Sequence, residues 1–436
     1  MKQDISLAAA TGEGSTCRPE YPDCMHCGLC LQVCPTYLET ADEGLSPRGR
    51  LYLMKAVEEG RLKTSDATHA LDLCLDCRAC EQACPSGVQY SRLLEPFRVK
   101  QLQAAEPVKG FAAWLQREVV QDRIKLARFL LPVRGLQKLG LSSALRASGR
   151  ILPSRMRRLL EQLPRLQPRE AKLPEQISIP EPIKRVGLFL GCAAEAMYPG
   201  VNRATVRVLR AYGCEVFVPP DQVCCGALPY HEGRTLEAID MLATNAVTFG
   251  GLPRLDAIVV NAAGCGALLK EAGILGRELC EGKLDLHATL DHMAGIAQDI
   301  NQFLSPLPPP DFRPLEIKAV YDDPCHLKHA QGISFEPRNL LQQIPKLELL
   351  DLPEAELCCG AAGSYALNQP EMSRRLGHRK ARNVLETGAD IVITSNTGCQ
   401  IQLEKSLREL GSNKRRVQVM HLMEVLDKAL PSTISR

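Results

Sequence analysis

The feature that most constrains the fold of this chain is a cysteine motif that occurs twice. Its first copy, CMHCGLCLQVCP, ends at Pro35, and its second copy, CLDCRACEQACP, ends at Pro85. Both copies follow the spacing C-x2-C-x2-C-x3-C. Three thiols on one tight loop can bind three corners of an iron–sulfur cube, whereas the fourth points away and can reach a second cube. The doubled motif therefore predicts two 4Fe–4S clusters.

This spacing is the signature of bacterial two-cluster ferredoxins, in which each motif lends one cysteine to the other cluster. The predicted ligands of cluster 1 are Cys24, Cys27, Cys30 and Cys84, and those of cluster 2 are Cys74, Cys77, Cys80 and Cys34. The main alternative is zinc, but structural zinc sites typically combine two separated cysteine pairs. We expect a mostly helical, ferredoxin-like domain over residues 1–105, with a helix between the motifs that begins at Pro47 and ends at Gly60.

The composition is that of a large globular protein in a reducing compartment. The chain has 436 residues, of which 45% are hydrophobic and 24% are charged, and it carries 19 cysteines. There is no basic-then-apolar leader and no transmembrane segment is predicted, so we expect a cytoplasmic protein whose clustered thiols bind metal rather than form disulfides. A net charge of +3 and an aromatic content of 4% argue against a nucleic-acid partner.

Residues 106–184 form a segment of different character. Between residues 123 and 169 the chain carries twelve basic residues and one acid, Glu161, and prolines and glycines divide it into short amphipathic helices. One interpretation is a linker that covers the core with solvated arginines. The other is a docking surface for an anionic membrane or for an acidic partner subunit. The sequence leaves both interpretations open.

From residue 185 onward, apolar strands alternate with helical stretches, as in α/β domains. Strands are predicted in KRVGLFLGC, CEVFVP and LDAIVVNAAGCG and, after a proline-rich break, in EIKAVYDDPCH, LELLDLPEAELCCG and ADIVITSNTGC. The offset is 133 residues from Cys192 to Cys325 and 134 residues from Cys265 to Cys399, which indicates an internal duplication. The predicted fold is thus multidomain, α+β and α/β, with the two repeats related by a pseudo-twofold axis. Its cysteine-rich domains span residues 185–305 and 316–436, joined by a linker at 306–315.

Each repeat supplies four cysteines, placed at the predicted carboxyl ends of strands, where α/β proteins tend to carry functional groups. They are Cys192, Cys224, Cys225 and Cys265 in the first repeat and Cys325, Cys358, Cys359 and Cys399 in the second. Repetition of all four positions favours a metal cluster or a redox disulfide over small buried side chains. Gly226 and Gly360 can turn both members of each adjacent pair inward.

The remaining cysteines and the histidines beside the motifs carry weaker signals. Cys17, Cys214 and Cys280 belong to no motif and are expected to be ordinary thiols. His231, His326 and His329 are interpreted as satisfied loop or core residues, with contact to a cluster or a quinone as the alternative. We assign no catalytic residue and no other cofactor-binding residue to this chain.

Several further segments together resemble the glycolate oxidase (glycolate dehydrogenase) iron–sulfur subunits. They are SPRGRLYLMKAV, CPSGVQY, CCGALPYH, AAGCGALLKE, KHAQG, CCGAAGSYAL and NTGCQ, and the resemblance runs from about residue 20 to VMHLMEVLDKAL. It implies a complex with flavin-binding dehydrogenase subunits that oxidises glycolate to glyoxylate. Heterodisulfide reductase relatives end each repeat with C-x-x-C, whereas Ala262 and Asn396 stand at the first position of that pair here.

The predicted function is therefore electron transfer. No G-x-G-x-x-G fingerprint follows a strand, so we place the flavin on a partner subunit. Electrons would pass through the two 4Fe–4S clusters towards a membrane quinone, with the protein peripheral on the cytoplasmic face of the inner membrane. We expect at least one further iron–sulfur cluster in the repeats, and favour the second repeat. The alternatives are a relay for lactate or glycerol 3-phosphate dehydrogenase, or a heterodisulfide-reductase-like thiol/disulfide reductase.

Overall fold

The structure is a computed structural model of the chain. It describes residues 24–104, 114–141, 163–280, 283–411 and 417–431. The predictions for Cys17 and for the basic residues between 142 and 162 lie outside these ranges. Within them, no helix combines the length and the apolar character that crossing a bilayer requires.

The N-terminal domain is helical around its cysteine loops. Its helices are α1 (Pro35–Thr40), α2 (Pro47–Glu58), α3 (Thr64–Asp72), α4 (Ala79–Gln82) and α5 (Tyr90–Ala104), with 3₁₀ turns at Leu29–Leu31 and Glu43–Leu45. The predicted helix between the motifs is α2. It begins because the Ser46 side chain accepts a hydrogen bond from the Gly49 amide, and the chain turns away at Gly60, where φ is 72°. Met54, Leu71 and Leu94 form the core between α2, α3 and α5.

The segment after this domain packs short helices against the first α/β unit. A π-helix spans Leu115–Val120, followed by α6 (Arg123–Phe129) and α7 (Leu131–Lys138). The side chain of Asp122 caps α6 by accepting bonds from the amides of Ile124 and Lys125. Leu126 and Leu130 are buried against Ala196, so one face of these helices is fixed to the α/β core.

The first α/β unit is a five-stranded sheet with helices on its faces. Its elements are β1 (Gln176–Ile177), β2 (Lys184–Phe189), α8 (Cys192–Met197), α9 (Pro199–Ala211), β3 (Cys214–Phe217), α10 (Ala227–His231), α11 (Thr235–Gly250), β4 (Ala257–Val260), α12 (Ala263–Leu279), α13 (Leu284–Ile296), β5 (Ala297–Asp299) and α14 (Ile300–Leu304). The strand order is β1-β3-β2-β4-β5, and only β1 is antiparallel to its neighbour. Val186 pairs with Val216 on one side and Ala257 on the other.

The second unit repeats this plan with four parallel strands. Its elements are β6 (Ile317–Asp322), a π-helix (His326–Ala330), α15 (Glu336–Gln342), β7 (Leu347–Leu350), α16 (Tyr365–Asn368), α17 (Pro370–Glu386), β8 (Ile391–Thr394), α18 (Thr397–Leu410), β9 (Gln418–His421) and α19 (Leu422–Ala429). The order β7-β6-β8-β9 matches the order β3-β2-β4-β5 of the first unit. The predicted duplication is therefore present in the topology.

One detail of the strand prediction is wrong. The strands predicted to end at Cys192, Cys265 and Cys399 stop before these cysteines, which lie instead in the first turns of α8, α12 and α18. A helix begins directly after the carboxyl end of each of these parallel strands, because the chain must cross back over the sheet to reach the next strand. The thiols still gather at the predicted edge of each sheet.

The two units share one hydrophobic core. Val186 and Val216 of the first sheet belong to the same buried cluster as Tyr321 and Ile393 of the second, together with residues of α19. Arg207 of α9 also forms an ion pair of 2.7 Å with Asp427 of α19. The repeats therefore hold their cysteine-bearing edges in a fixed relation to each other.

Candidate metal centres

The best-defined centre is the one predicted for cluster 2. A cavity in the N-terminal domain is lined by Cys34 of the first motif together with Cys74, Cys77 and Cys80 of the second. Arg50, Tyr90 and Asp76 complete part of its wall. Four thiols around one cavity are the donor set that a 4Fe–4S cluster requires, so these residues fit the group. The structure places Cys34 at the cavity lined by the second motif, and the crossed ligation stays a prediction.

The two cysteine loops have the same backbone conformation. His26 and Asp76 have φ values of 52° and 50°, and Gly28 and Arg78 have φ values of 81° and 63°. These pairs stand at equivalent positions of the two motifs, and all four lie in the left-handed region that side-chain-bearing residues rarely adopt. The left-handed turns bend each loop around its thiols. The amide of Asp76 donates a hydrogen bond of 3.4 Å to the sulfur of Cys74.

The predicted ligands of cluster 1 lie nearer the surface. Cys27 is exposed, and Cys24 and Cys30 are half-buried. Helix α4, which leads into Cys84, packs against the 3₁₀ turn Leu29–Leu31 of the first loop. The Val88 amide donates a hydrogen bond of 3.5 Å to the sulfur of Cys84. The structure thus places the fourth predicted ligand two residues after the helix that contacts the first loop.

In the first repeat, the four predicted thiols form one buried group. The sulfur atoms of Cys224 and Cys192 are 3.8 Å apart. Cys225 contacts both Cys224 and Cys265, and these hydrogen bonds raise the pKa of the Cys225 thiol. Gly226, with φ of 89°, supplies the turn that lets the adjacent pair point inward. Glycine is needed there because of this φ and because a Cβ would lie 3.0 Å from the backbone of Ala238.

The second repeat gathers its four thiols in the same way. The sulfur atoms of Cys325 and Cys358 are 3.8 Å apart, and Cys359 contacts Cys358 and Cys399. Gly360 has φ of 84° and provides the equivalent turn. Hydrogen bonding from Cys358 and burial raise the pKa of Cys359 well above its ordinary value. These groups are therefore neutral thiols until a metal ion displaces their protons.

Asn396 has a role in the second repeat that the sequence prediction missed. It occupies the position at which related repeats carry an additional cysteine, and its side-chain amide donates a hydrogen bond of 3.3 Å to the sulfur of Cys399. Ala262 stands at the equivalent position of the first repeat and has no side-chain donor. The two thiol groups thus have different surroundings. In the sequence, the signal for this difference is that the first repeat has alanine at position 262 where the second repeat has asparagine at position 396.

The second thiol group lies against the cluster 2 loop. Cys77 and Cys325 pack on the apolar cluster that contains Cys358, Leu73 and Tyr365. The hydroxyl of Tyr365 donates a hydrogen bond of 3.1 Å to the carbonyl of Leu73, one residue before the second motif. Since no polar layer separates Cys77 from Cys358 within this cluster, the two cysteine sets are directly adjacent.

A buried charged network joins the N-terminal domain to the first repeat. His231 Nδ1 lies 3.0 Å from an oxygen of Asp76 and 3.1 Å from one of Glu95, and Arg98 lies 3.0 Å from the same Glu95 oxygen. Burial alone would lower the pKa of His231, but its two carboxylate partners outweigh this and raise it to about 10. These three ligand-type residues could also hold an ion, but Arg98 and protonated His231 already balance both carboxylates.

The other two histidines divide between the alternatives that the sequence left open. His326 Nδ1 lies 3.5 Å from the sulfur of Cys325, in contact with the second thiol group. His329 Nδ1 lies 2.8 Å from the side-chain oxygen of Gln82, as a satisfied loop residue. Cys214 is buried in the core shared by the two sheets, whereas Cys280 is buried in the apolar cluster that also contains Cys192, Cys224 and Cys225. Their assignment as ordinary thiols stays a prediction.

Paired ferredoxin-type loops followed by duplicated thiol-bearing α/β units define an iron–sulfur electron-transfer protein. The 4Fe-4S dicluster domain matches residues 20–88, and the cysteine-rich domain matches residues 186–270 and 319–404. The probable glycolate oxidase iron-sulfur subunit of Bacillus subtilis is 36% identical, over 94% of each chain. The glycolate oxidase iron-sulfur subunit of Escherichia coli is 32% identical, over 93% of each chain. The chain belongs to the family of glycolate oxidase iron–sulfur subunits.

A solved structure supports the fold independently. A hypothetical protein from Helicobacter pylori superposes with a TM-score of 0.52, covering 93% of this chain and 72% of that chain. Its sequence is 11% identical, so the likeness concerns the fold alone. The sequence relatives and the family models confirm the resemblance predicted from the motifs, the dicluster domain and both cysteine-rich repeats.

Proposed function

We propose that this chain is the electron-transfer subunit of a glycolate dehydrogenase complex. Oxidation of glycolate to glyoxylate releases two electrons and two protons, and a flavin on a partner subunit accepts them. Iron–sulfur clusters supply one-electron carriers, so the pair leaves the flavin singly. This chain receives those electrons at its exposed first motif and passes them inward, finally to a membrane quinone. The similarity to two glycolate oxidase iron-sulfur subunits supports the substrate assignment.

The observation that carries the proposal is the contact between Cys77 and the second thiol group. Cys34 joins the first motif to the second, and the apolar cluster around Cys358 joins the second motif to the second repeat. A continuous series of thiol sets thus runs from exposed Cys27 to buried Cys399. This is the layout expected of a relay, and it supports a further cluster at Cys325, Cys358, Cys359 and Cys399.

The proposal includes the ligands of the two clusters, the symmetry of the repeats and the domain boundaries. The eight N-terminal cysteines form two 4Fe–4S clusters with crossed ligands, and the repeats are related by a pseudo-twofold axis. The domain boundaries follow the sequence analysis, with breaks at residues 105, 184, 305 and 315. The matching strand orders of the two sheets support the symmetry.

A substrate panel on the complex, purified without oxygen, tests the function. We expect glycolate to reduce the clusters of this chain, seen as new EPR signals, with D-lactate, L-lactate and glycerol 3-phosphate slower by at least tenfold. A preference for lactate or glycerol 3-phosphate would assign the relay to another dehydrogenase. Failure of every substrate to reduce the clusters, with the flavin reduced, would contradict the electron-transfer role.

The helices of residues 114–141 form the face that we propose for contact with the cytoplasmic side of the membrane. This stretch has six basic and two acidic residues. The exposed large apolar side chains are Trp114, Ile124, Phe129, Leu131, Leu139 and Leu141. In α6, Ile124 and Arg128 are four residues apart and both exposed, whereas Leu126 and Leu130 are buried. Exposed apolar and basic residues on one face are typical of interfacial helices.

Replacing Ile124 and Leu139 together with aspartate is expected to release the protein from vesicles of mixed phosphatidylserine and phosphatidylcholine. Each substitution removes an exposed apolar side chain whose full burial in the bilayer would contribute about 1.5–3 kcal/mol, and adds a charge that the anionic surface repels. The measurement is cosedimentation at low salt, with at least a tenfold fall in the partition coefficient. Val247→Asp, at an exposed apolar site on α11, is the matched control. Unchanged sedimentation would leave docking to a partner subunit as the role of this face.

A further inference from the structure

Arg50 is a buried arginine in the wall of the cluster 2 cavity. It lies on α2, is only 2% exposed, and is among the largest fully buried side chains. Its guanidinium donates to the Ala70 carbonyl at 2.7 Å and to the Thr36 hydroxyl at 3.0 Å. Its third contact is the sulfur of Cys34, at 3.9 Å. The fork of the side chain is thus held by three fixed acceptors, one of them a predicted cluster ligand.

The charge of Arg50 has no carboxylate partner. Among the described residues, no Asp or Glu oxygen lies within ion-pair distance of its guanidinium. Burying an unpaired charge costs several kcal/mol, so buried arginines normally face an anion. A 4Fe–4S cluster held by the four cysteines of the cavity would supply the negative charge that matches this side chain.

The other arginines near the loops are neutralised by carboxylates. Arg98 lies 3.0 Å from Glu95 and 3.5 Å from Asp76. Arg48, beside the first loop, is 28% exposed, is paired with Glu43 at 2.6 Å and donates a hydrogen bond of 2.9 Å to the carbonyl of His26. The Glu43 carboxylate therefore offsets the charge of Arg48 beside the first motif. Arg50 differs from both arginines because it contacts a predicted cluster ligand and, among the described residues, no carboxylate.

We propose that Arg50 is a positioning residue that raises the reduction potential of the cluster bound by Cys34, Cys74, Cys77 and Cys80. A fixed positive charge stabilises the more negative, reduced cluster in a low-dielectric site. Among the described residues, no buried lysine or arginine side chain contacts the thiols of Cys24, Cys27 or Cys30. Electrons thus move downhill from the surface cluster to the buried one, next to the second thiol group. This inference rests on the proposed function, because it assumes that both clusters are present.

The test is an EPR-monitored redox titration of the anaerobically purified chain. Arg50→Gln is expected to lower the midpoint potential of the buried cluster by about 60 mV or more, which is a tenfold change in its ratio of reduced to oxidised forms. The potential of the first-motif cluster stays constant and serves as an internal reference. Lys55→Gln removes one charge from the exposed face of the same helix and is expected to shift neither potential.

Arg50→Lys keeps the positive charge but loses the forked hydrogen bonds of the guanidinium. It therefore shows how much of the effect comes from the charge alone. We expect this variant to retain most of the wild-type potential. If Arg50→Gln fails to assemble the buried cluster while Arg50→Lys assembles it, charge pairing is supported directly. Loss of the cluster in both variants, or a full cluster with unchanged potential in Arg50→Gln, would overturn the proposal. A wild-type protein without the second EPR signal would instead overturn the proposed function.

Discussion

Replacement of Cys358 and Cys359 by serine is expected to stop electron transfer to quinone while both N-terminal EPR signals remain. The pair contributes two of the four thiols in the second group, and Cys358 also lies in the apolar cluster against which Cys77 packs. Without these thiols the group cannot hold iron, because serine is a poor ligand for it at neutral pH. Iron in the anaerobic protein should fall from above eight atoms per chain to about eight, which is the content of two 4Fe–4S clusters.

The reason for a large effect is the position of this group in the series of thiol sets. It is adjacent to the second motif, and the structure gives the second motif no comparable contact with Cys192 or Cys224. Quinone reduction by the glycolate-driven complex should therefore fall at least a hundredfold, whereas flavin reduction by glycolate is unchanged. Stopped-flow measurement of both steps separates the loss from damage to the flavin subunit.

Two matched variants make this experiment decisive. Cys224→Ser with Cys225→Ser changes the equivalent pair of the first repeat and should reduce the quinone rate much less. Cys214→Ser with Cys280→Ser removes two buried thiols that belong to neither group and should have no effect on iron content. A wild-type iron content of about eight, with an unchanged quinone rate in the Cys358 and Cys359 variant, would rule out the further cluster.

Thiol–disulfide chemistry is the remaining alternative for the repeats. The sulfur pairs Cys192–Cys224 and Cys325–Cys358, each 3.8 Å apart, could close into disulfides after a small movement. Alkylation of the anaerobic protein distinguishes the two readings, because cluster-bound sulfur resists the reagent until iron is removed. Rapid labelling of these four cysteines in the iron-loaded protein would favour a thiol/disulfide reductase.

The sequence predicted those features that depend on local spacing. The intervals of both motifs placed the thiols on loops, and Pro47 and Gly60 located helix α2. The offset between repeats predicted a duplication, because equal spacing of cysteines requires equal numbers of residues in the intervening strands and helices. The strand ends were misplaced, because a cysteine after an apolar run gives no signal of whether the strand continues or a helix begins.

Features that depend on long-range packing could not be predicted. Nothing in the sequence distinguishes Arg50 from Arg48 and Lys55 of the same helix, and only the cavity shows that it faces Cys34 rather than solvent. His231 pairs with carboxylates 155 and 136 residues earlier in the chain, at Asp76 and Glu95, so the network exists only once the domains are docked. Charge pairing between distant residues leaves no periodic pattern in the sequence.

The crossed ligation gives the second prediction with a large effect. Cys34→Ala should abolish the cluster of the second motif, because Cys34 lines the cavity with Cys74, Cys77 and Cys80. Cys34 is 6% exposed, and it precedes α1, whose Pro35 directs the chain away from the first loop. Cys84→Ala should abolish the cluster of the first motif, since Cys84 follows helix α4, which packs against the turn Leu29–Leu31.

The two variants are read by iron analysis and by EPR. Each should lose about four of the irons of the N-terminal domain, and the two lost signals should differ. Arg50→Gln identifies the buried cluster independently through its shifted potential, so each lost signal can be assigned to one ligand set. Cys34→Ala combined with Arg50→Gln should then show no shifted signal at all. Loss of the unshifted signal in Cys34→Ala would mean that each motif binds its own four cysteines, and the relay would need another connection between its clusters.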